Sequence, residues 1–164
     1  MAKQISSLIL LLGLFVLTVF SQSKDAPSAE SNLYARTLSV CLTKELEEYG
    51  KHRLRRVDYE NRVIERNIHL TEKLPTQFGK VKVEYLDSET LRERYQKTRK
   101  EIQVLSLRLM KNEGTTLIIS IGNYWFSYTK KSYNYGLEGG CTVNFNFDSS
   151  QNDFALTKID LWGI

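Results

Sequence analysis

Between Tyr133 and Phe147 the chain alternates, and no other stretch constrains the fold as tightly. One row reads Tyr133, Tyr135, Leu137, Gly139, Cys141, Val143, Phe145 and Phe147; the other reads Asn134, Gly136, Glu138, Gly140, Thr142, Asn144, Asn146 and Asp148. Side chains of a strand point alternately to its two faces, so the pattern predicts a half-buried antiparallel strand, greasy on one face and wet on the other. Gly139-Gly140 in mid-run predicts a bulge or the close approach of another backbone. Further strands are expected at Ile102 to Met110, where Leu105, Leu107 and Leu109 share a side, at Thr115 to Tyr128, and at Phe154 to Trp162. Turns fall at Lys111-Asn112-Glu113-Gly114, at Lys130-Lys131 and from Asp148 to Asp153. The expectation is a curved antiparallel four-stranded meander.

Ahead of the meander, Leu38, Cys41, Leu42, Leu46 and Tyr49 recur at helical spacing. They predict a helix capped by Asn32 and stopped by Gly50, with Cys41 facing the core. The segment from Lys51 to Thr71 has no clean period, and strand or loop is expected around Val57 and again around Ile68. Pro75 and Gly79 mark a turn. Lys80 to Tyr85 alternates and suits a short edge strand blunted by lysine. Ser88 is the expected cap of a second, charge-rich helix ending near Lys100, in which Leu91 and Tyr95 keep helical spacing and Glu89/Arg92 and Glu93/Lys97 can pair.

The first 21 residues read as a cleavable signal peptide: Lys3, an apolar run from Leu8 to Phe20, then Ser21. That run is shorter than the ~20 residues of a membrane span. An uncleaved anchor is the alternative. Residues 22–31 are small and polar, a flexible lead-in, leaving 32–164 as a single domain. Cleavage takes the net charge from +4 to +3, too mild to imply nucleic acid or an anionic membrane. The expected location is secreted or periplasmic, with no membrane span after signal cleavage. In such a compartment the two cysteines, Cys41 and Cys141, invite a disulfide; two buried free thiols are the alternative.

A leading helix followed by a curved meander resembles, in element order over residues 32–164, the cystatin-like and NTF2-like α+β roll. The resemblance implies a sheet wrapped around the helix, which would let Cys41 and Cys141 meet. It also implies two functions. Cystatin-type protease inhibitors use a Q-x-V-x-G tip and a later Pro-Trp pair. Here Gln103-Val104-Leu105 lacks the glycine and the spacing, and the mature chain's only prolines are Pro27 and Pro75. NTF2-like enzymes place acid–base residues inside the cone of sheet and helix. The inward row offers no His or Asp for that role, only Tyr133 and Tyr135 as polar-tipped aromatics.

Other chemistry finds no motif. His52 and His69 stand apart in charged surroundings, so neither a metal nor another cofactor is expected. No G-x-S-x-G or phosphate-binding glycine loop occurs. A thiol nucleophile at Cys41 or Cys141 is less economical than a structural pair. Two surfaces remain. The cluster Lys51, Arg53, Arg55 and Arg56 could attract an acidic partner. Glu45, Glu47, Glu48, Asp58 and Glu60 neutralise much of it, and a solvated loop is the plainer reading. Ten of the 18 aromatic residues (9 Tyr, 7 Phe, 2 Trp) lie between Tyr124 and Trp162. Tyr124, Trp125, Phe126 and Tyr128 put rings on both faces of one strand. The plainer reading buries both faces, one under each helix. Otherwise the exposed rings, beside Asn144 and Asn146, could hold a ligand or a protein. The expected function is non-enzymatic binding of a protein or a small hydrophobic ligand, through Tyr124, Trp125, Tyr128, Tyr133, Tyr135 and Asn144. The alternative is a small NTF2-like enzyme acting on a hydrophobic substrate in the cone.

Overall fold

The computed structural model describes residues 29–50, 57–66, 74–108 and 110–163. The expected signal segment, the cluster from Lys51 to Arg56, both histidines, Ile68 and Leu109 lie outside the described residues. Within them, α1 (Ala29–Tyr49) and α2 (Ser88–Thr98) pack on one mixed sheet of eight strands. The strands are β1 (Asn61–Glu65), β2 (Gln77–Phe78), β3 (Val81–Leu86), β4 (Ile102–Leu107), β5 (Lys111–Glu113), β6 (Thr116–Thr129), β7 (Ser132–Asp148) and β8 (Asp153–Trp162). Their spatial order is β2-β3-β1-β4-β6-β7-β8, with β5 paired to β6.

The expected meander is present as β4-β6-β7-β8, antiparallel throughout. It is half of a larger object, and here the sequence-based expectation needs correcting. β1 runs parallel to both β3 and β4 and joins the meander to the β2–β3 hairpin. The Lys80–Tyr85 run is an edge only in part: β3 is flanked by β1 on one side, and on the other the two-residue β2 covers Val81 and Lys82. β1 lies between the two places where a strand was expected. The Asp58 carboxylate accepts the N–H groups of Glu60 and Asn61, both at 3.0 Å, and that turn delays the strand until Asn61.

Both helices begin elsewhere than expected. α1 is already helical at Ala29, inside the stretch read as lead-in, where Ala29 and Glu30 are good helix formers. For α2 the cap is Asp87. Its extended backbone (φ −82°, ψ 167°) lets the carboxylate accept the Thr90 N–H at 2.7 Å. Arg99, in the left-handed region at φ 55°, ends the helix by donating its N–H to the Tyr95 carbonyl. Gly50 stops α1 as expected, its N–H reaching the Leu46 carbonyl at 3.0 Å.

The helices cover opposite faces. On the inner face, Leu33, Tyr34, Leu38, Cys41 and Leu42 of α1 are buried against Ile64, Leu105, Leu107, Ile119, Ile121, Val143 and Phe145. Cys41 and Cys141 meet there at disulfide distance, their Cα atoms 5.9 Å apart. Arg36 pins the start of α1 to the start of β8: it lies 3.3 Å from the Asp153 carboxylate, donates to the Phe154 carbonyl, and stacks 5.2 Å from the Phe145 ring centre. On the outer face, Leu91 of α2 closes a second, smaller core over Leu86, Val104 and Phe126.

Candidate binding surface

The face on which each β7 side chain emerges is decided by one residue. In the β6–β7 ladder Asn123 pairs with Gly139, but the next residue, Tyr124, pairs with Leu137. Glu138 is the extra residue of a β-bulge, and a bulge reverses the phase of alternation across it. After the bulge, Cys141, Val143 and Phe145 share the inner face with Ile121, Ile119 and Leu117. Before it, Leu137, Tyr135 and Tyr133 stand opposite Tyr124, Phe126 and Tyr128, on the outer face. The expectation that the whole odd row from Tyr133 to Phe147 shares one face is thus overturned, and so is the inward placement of Tyr133 and Tyr135. The bulge itself, and the close approach at Gly140, are as the Gly139-Gly140 pair predicts. A Cβ at Gly140 would collide with the Ile121 carbonyl and the Trp162 indole. Phe147, at the far end of the row, is exposed and packs edge-on against Phe154, 5.4 Å between ring centres.

The outer-face rings form an unbroken series. Tyr124 contacts Tyr135 at 6.1 Å, Tyr135 contacts Phe126 at 5.3 Å, Phe126 contacts Tyr133 at 6.1 Å, and Tyr133 contacts Tyr128 at 5.3 Å. Edge-to-face and tilted pairs at these separations are favourable. α2, about 16 Å long at eleven residues, covers Phe126 but not the width of the sheet. Tyr133, Tyr135 and Leu137 are left 43%, 38% and 53% exposed. Glycines widen the surface. The Tyr124 ring lies over Gly122 and the Trp162 indole over Gly140, each in space a Cβ would fill.

Polar groups fix the rings from both sides. The Glu65 carboxylate accepts from the Tyr135 hydroxyl at 2.6 Å and from the Ser88 hydroxyl at 3.1 Å. Desolvation first, and the bond to Glu65 second, push the Tyr135 phenol above the ordinary tyrosine range. A phenol held protonated and already donating is a poor base, so this arrangement suits contact rather than proton abstraction. Arg108 donates to the Tyr124 hydroxyl at 2.8 Å, and the Arg92 guanidinium sits 5.9 Å from the centre of the Tyr128 ring while pairing with Glu89. At the hairpin tip Lys130 and Lys131 take φ of 50° and 64°, the left-handed pair that a two-residue type I′ loop requires.

Four of the six residues expected to bind, Tyr124, Tyr128, Tyr133 and Tyr135, therefore gather on one surface. Trp125 points to the opposite face and lines a cleft of about 290 Å³ with Arg62, Gln103 and Lys100, where the ends of β1, β4 and α2 meet. Asn144 shares the outer face but pairs with Ile118, roughly 30 Å along the strand from Tyr135. Leu137, Trp162, Glu65 and Ser88 belong to the surface and were not anticipated. The phase change at Glu138 is the signal that would have placed Leu137 there.

A second unanticipated constellation lies on the inner face. Glu45, Arg62 and Asn123 are 2%, 4% and 4% exposed. Arg62 Nη2 stands 3.1 Å from Glu45 Oε2 and donates to Asn123 Oδ1 at 3.1 Å, while Asn123 Nδ2 donates to Glu45 Oε1 at 3.0 Å. The Arg62 guanidinium also lies 5.1 Å from the Tyr59 ring centre. Glu45, expected to screen the basic cluster at the surface, is instead closed within a reciprocal triad. The triad locks α1 to β1 and β6, while among the described residues Arg62 Nη1 and Glu45 Oε2 stay buried without a hydrogen-bond partner. Among the described residues no three His, Cys, Asp or Glu side chains gather as a metal site. Comparison of the chain with protein-family models, curated proteins and solved structures finds no match.

Proposed function

We propose that the chain is an exported, non-enzymatic binding domain whose partner docks on the outer face of the sheet, around Tyr133, Tyr135 and Leu137. The observation that carries this reading is the side-by-side exposure of those three residues on a surface already ordered by ring contacts and by Glu65. Preordered aromatic side chains lose little entropy on binding, and contiguous exposed apolar groups mark interaction sites more often than isolated ones. The occupant is a protein or a small hydrophobic ligand. Export is supported by the pairing of two buried cysteines and by the sequence of residues 1–21. Among the described residues no helix is long and apolar enough to cross a membrane.

The cystatin-like and NTF2-like roll remains our reading of the finer architecture. The packing of α1 against β6, β7 and β8 supports it; α1 packs equally against β2 and β3, so the parallel β1–β3 unit is an addition that shares the same helix. The space between α1 and the meander is filled by Leu38, the cysteine pair, Ile119, Ile121 and Phe145, which favours binding over catalysis within the cone.

A ligand and interaction screen on the purified protein tests the proposal, with Tyr133→Ser/Leu137→Ser as the comparison. Binding that disappears in the double variant, while the variant still folds, is the expected outcome. Turnover of any substrate that is lost on Tyr133→Phe or Tyr135→Phe, with folding intact, would reject the binding-only reading.

A further inference from the structure

The sheet ends in two unequal edges. β2 is two residues long and offers almost nothing to a further strand, whereas β8 runs for ten residues as the last strand on the other side. A long open edge invites another strand unless something guards it. The first part of β8 is guarded: Arg36 donates to the Phe154 carbonyl, and the Asp153 carboxylate accepts the Phe154 N–H at 2.7 Å. A register shift follows, since Asn144 pairs with Lys158 but Phe145 pairs with Leu156, leaving Thr157 as the extra residue of a second bulge. From Lys158 to Trp162 the ladder to β7 is regular, and among the described residues nothing pairs with the outward edge of that stretch.

We propose that this stretch is an interaction edge for a second copy of the chain, joined antiparallel about a two-fold axis at Ile159. The register follows from faces and charges. A two-fold axis through adjacent antiparallel strands runs perpendicular to the sheet and keeps inner faces with inner faces, so the axis must pass through a residue. Centred on Asp160, it would oppose two like carboxylates. Centred on Leu161, it would pair no fewer residues, but it would set Asp160 of each copy against Trp162 of the other and leave the charges unmatched. Centred on Ile159, it sets Lys158 of each copy against Asp160 of the other, on the outer face. Lys158 and Asp160 already pair at 2.7 Å within one strand while both remain exposed, so the dimer would close them into a ring of four alternating charges. The bulge at Thr157 ends the pairing on both sides. The contact is short, and dimerisation is therefore concentration dependent.

Sedimentation of the purified protein over a concentration series tests this. The expected result is a reversible monomer–dimer equilibrium. Lys158→Asp alone, and Asp160→Lys alone, oppose like charges twice per dimer and each weaken association about tenfold. The exchanged double variant, Lys158→Asp/Asp160→Lys, regains self-complementarity and returns to near the original dimer affinity. A protein monomeric at every concentration overturns the proposal. So does a dimer that ignores the single substitutions, or one that the double variant fails to restore while its melting temperature matches the original.

Discussion

The two faces of β7 are held by different means. The inner face after Glu138 is closed by the cysteine pair to α1, by the Glu45–Arg62–Asn123 triad beside it, and by fully buried Val143 and Phe145. The outer face before Glu138 is assembled from ring edges, with one buried ring, Phe126, and its neighbours half open. Close-packed and cross-linked groups tolerate little rearrangement, whereas half-exposed rings can lose contacts to each other and regain them with a partner. A single strand thus serves stability at one end and, on the proposed function, recognition at the other. Substitutions that separate the two ends test how far that division holds.

The largest effect should come from the cross-link. It closes a loop 100 residues apart in sequence, for which restriction of the unfolded chain is worth up to about 4.7 kcal/mol. Thermal melts with and without reductant, and of Cys41→Ala/Cys141→Ala, should show a loss approaching that value. Tyr133→Ser, which gives up only the ring contacts to Phe126 and Tyr128, should cost about 1 kcal/mol by the same measurement. A melt indifferent to reductant would mean that the inner face is held by packing alone. Next comes the triad. Arg62→Met leaves the Glu45 carboxylate buried without its cation and should cost about 3 kcal/mol in denaturant unfolding. Adding Glu45→Leu removes the stranded charge and should recover most of the loss, within about 1 kcal/mol of the parent.

The inner face was the more legible of the two. The spacing of Leu38, Cys41 and Leu42 places α1 on the sheet, and the meander's strands fall close to their expected bounds. The triad was legible in principle. Glu45 continues the stripe at three and four positions beyond Leu42 and Cys41, Arg62 alternates with Ile64, and Asn123 continues the row of Ile119 and Ile121. A polar residue in each of three apolar rows is the trace of a buried network, but only the fold reveals that the three rows converge. β1 was hidden because Asn61–Glu65 is five residues long and carries Arg62 on its inner row. The face of Tyr133 and Tyr135 was hidden for another reason. Alternation sorts residues into faces only within an unbroken ladder, and Glu138 breaks it without breaking the sequence pattern.

That break can be undone. Deleting Glu138 makes Leu137 the direct neighbour of Gly139, so the ladder becomes regular with its partners unchanged: Leu137 stays opposite Tyr124, Tyr135 opposite Phe126 and Tyr133 opposite Tyr128. The rings should keep the outer face and the Tyr135–Glu65 bond, and stability should change by less than about 1 kcal/mol. Chemical modification of tyrosine should be unaltered, and the partner found in a screen should still bind. Loss of that partner by the shortened hairpin, at unchanged melting temperature, would place recognition at the bulge and not on these rings.

The smallest effect is on pH dependence, and its sign follows from the Tyr135 phenol. Burial and the bond to Glu65 raise its folded-state pKa above the ordinary tyrosine value of about 10. A group raised on folding contributes stability that is complete below its unfolded pKa and is lost as pH climbs toward the folded value. The stabilisation from Tyr135 is therefore intact at neutral pH and drains away above about pH 10, where the unfolded chain ionises first. Tyr85, pushed up to about 12 by burial, adds a loss of the same sign over the same range. Tyr135→Phe removes one of these two contributions, so the variant's stability should fall less steeply above pH 10 than the parent's, although it forgoes the bond to Glu65 at neutral pH. Phenolate absorbance during an alkaline titration, read beside denaturant unfolding at each pH, measures both quantities. A parent whose Tyr135 ionises at the ordinary tyrosine pH would mean that the Glu65 contact is open in solution and that the outer face is looser than its ring contacts imply.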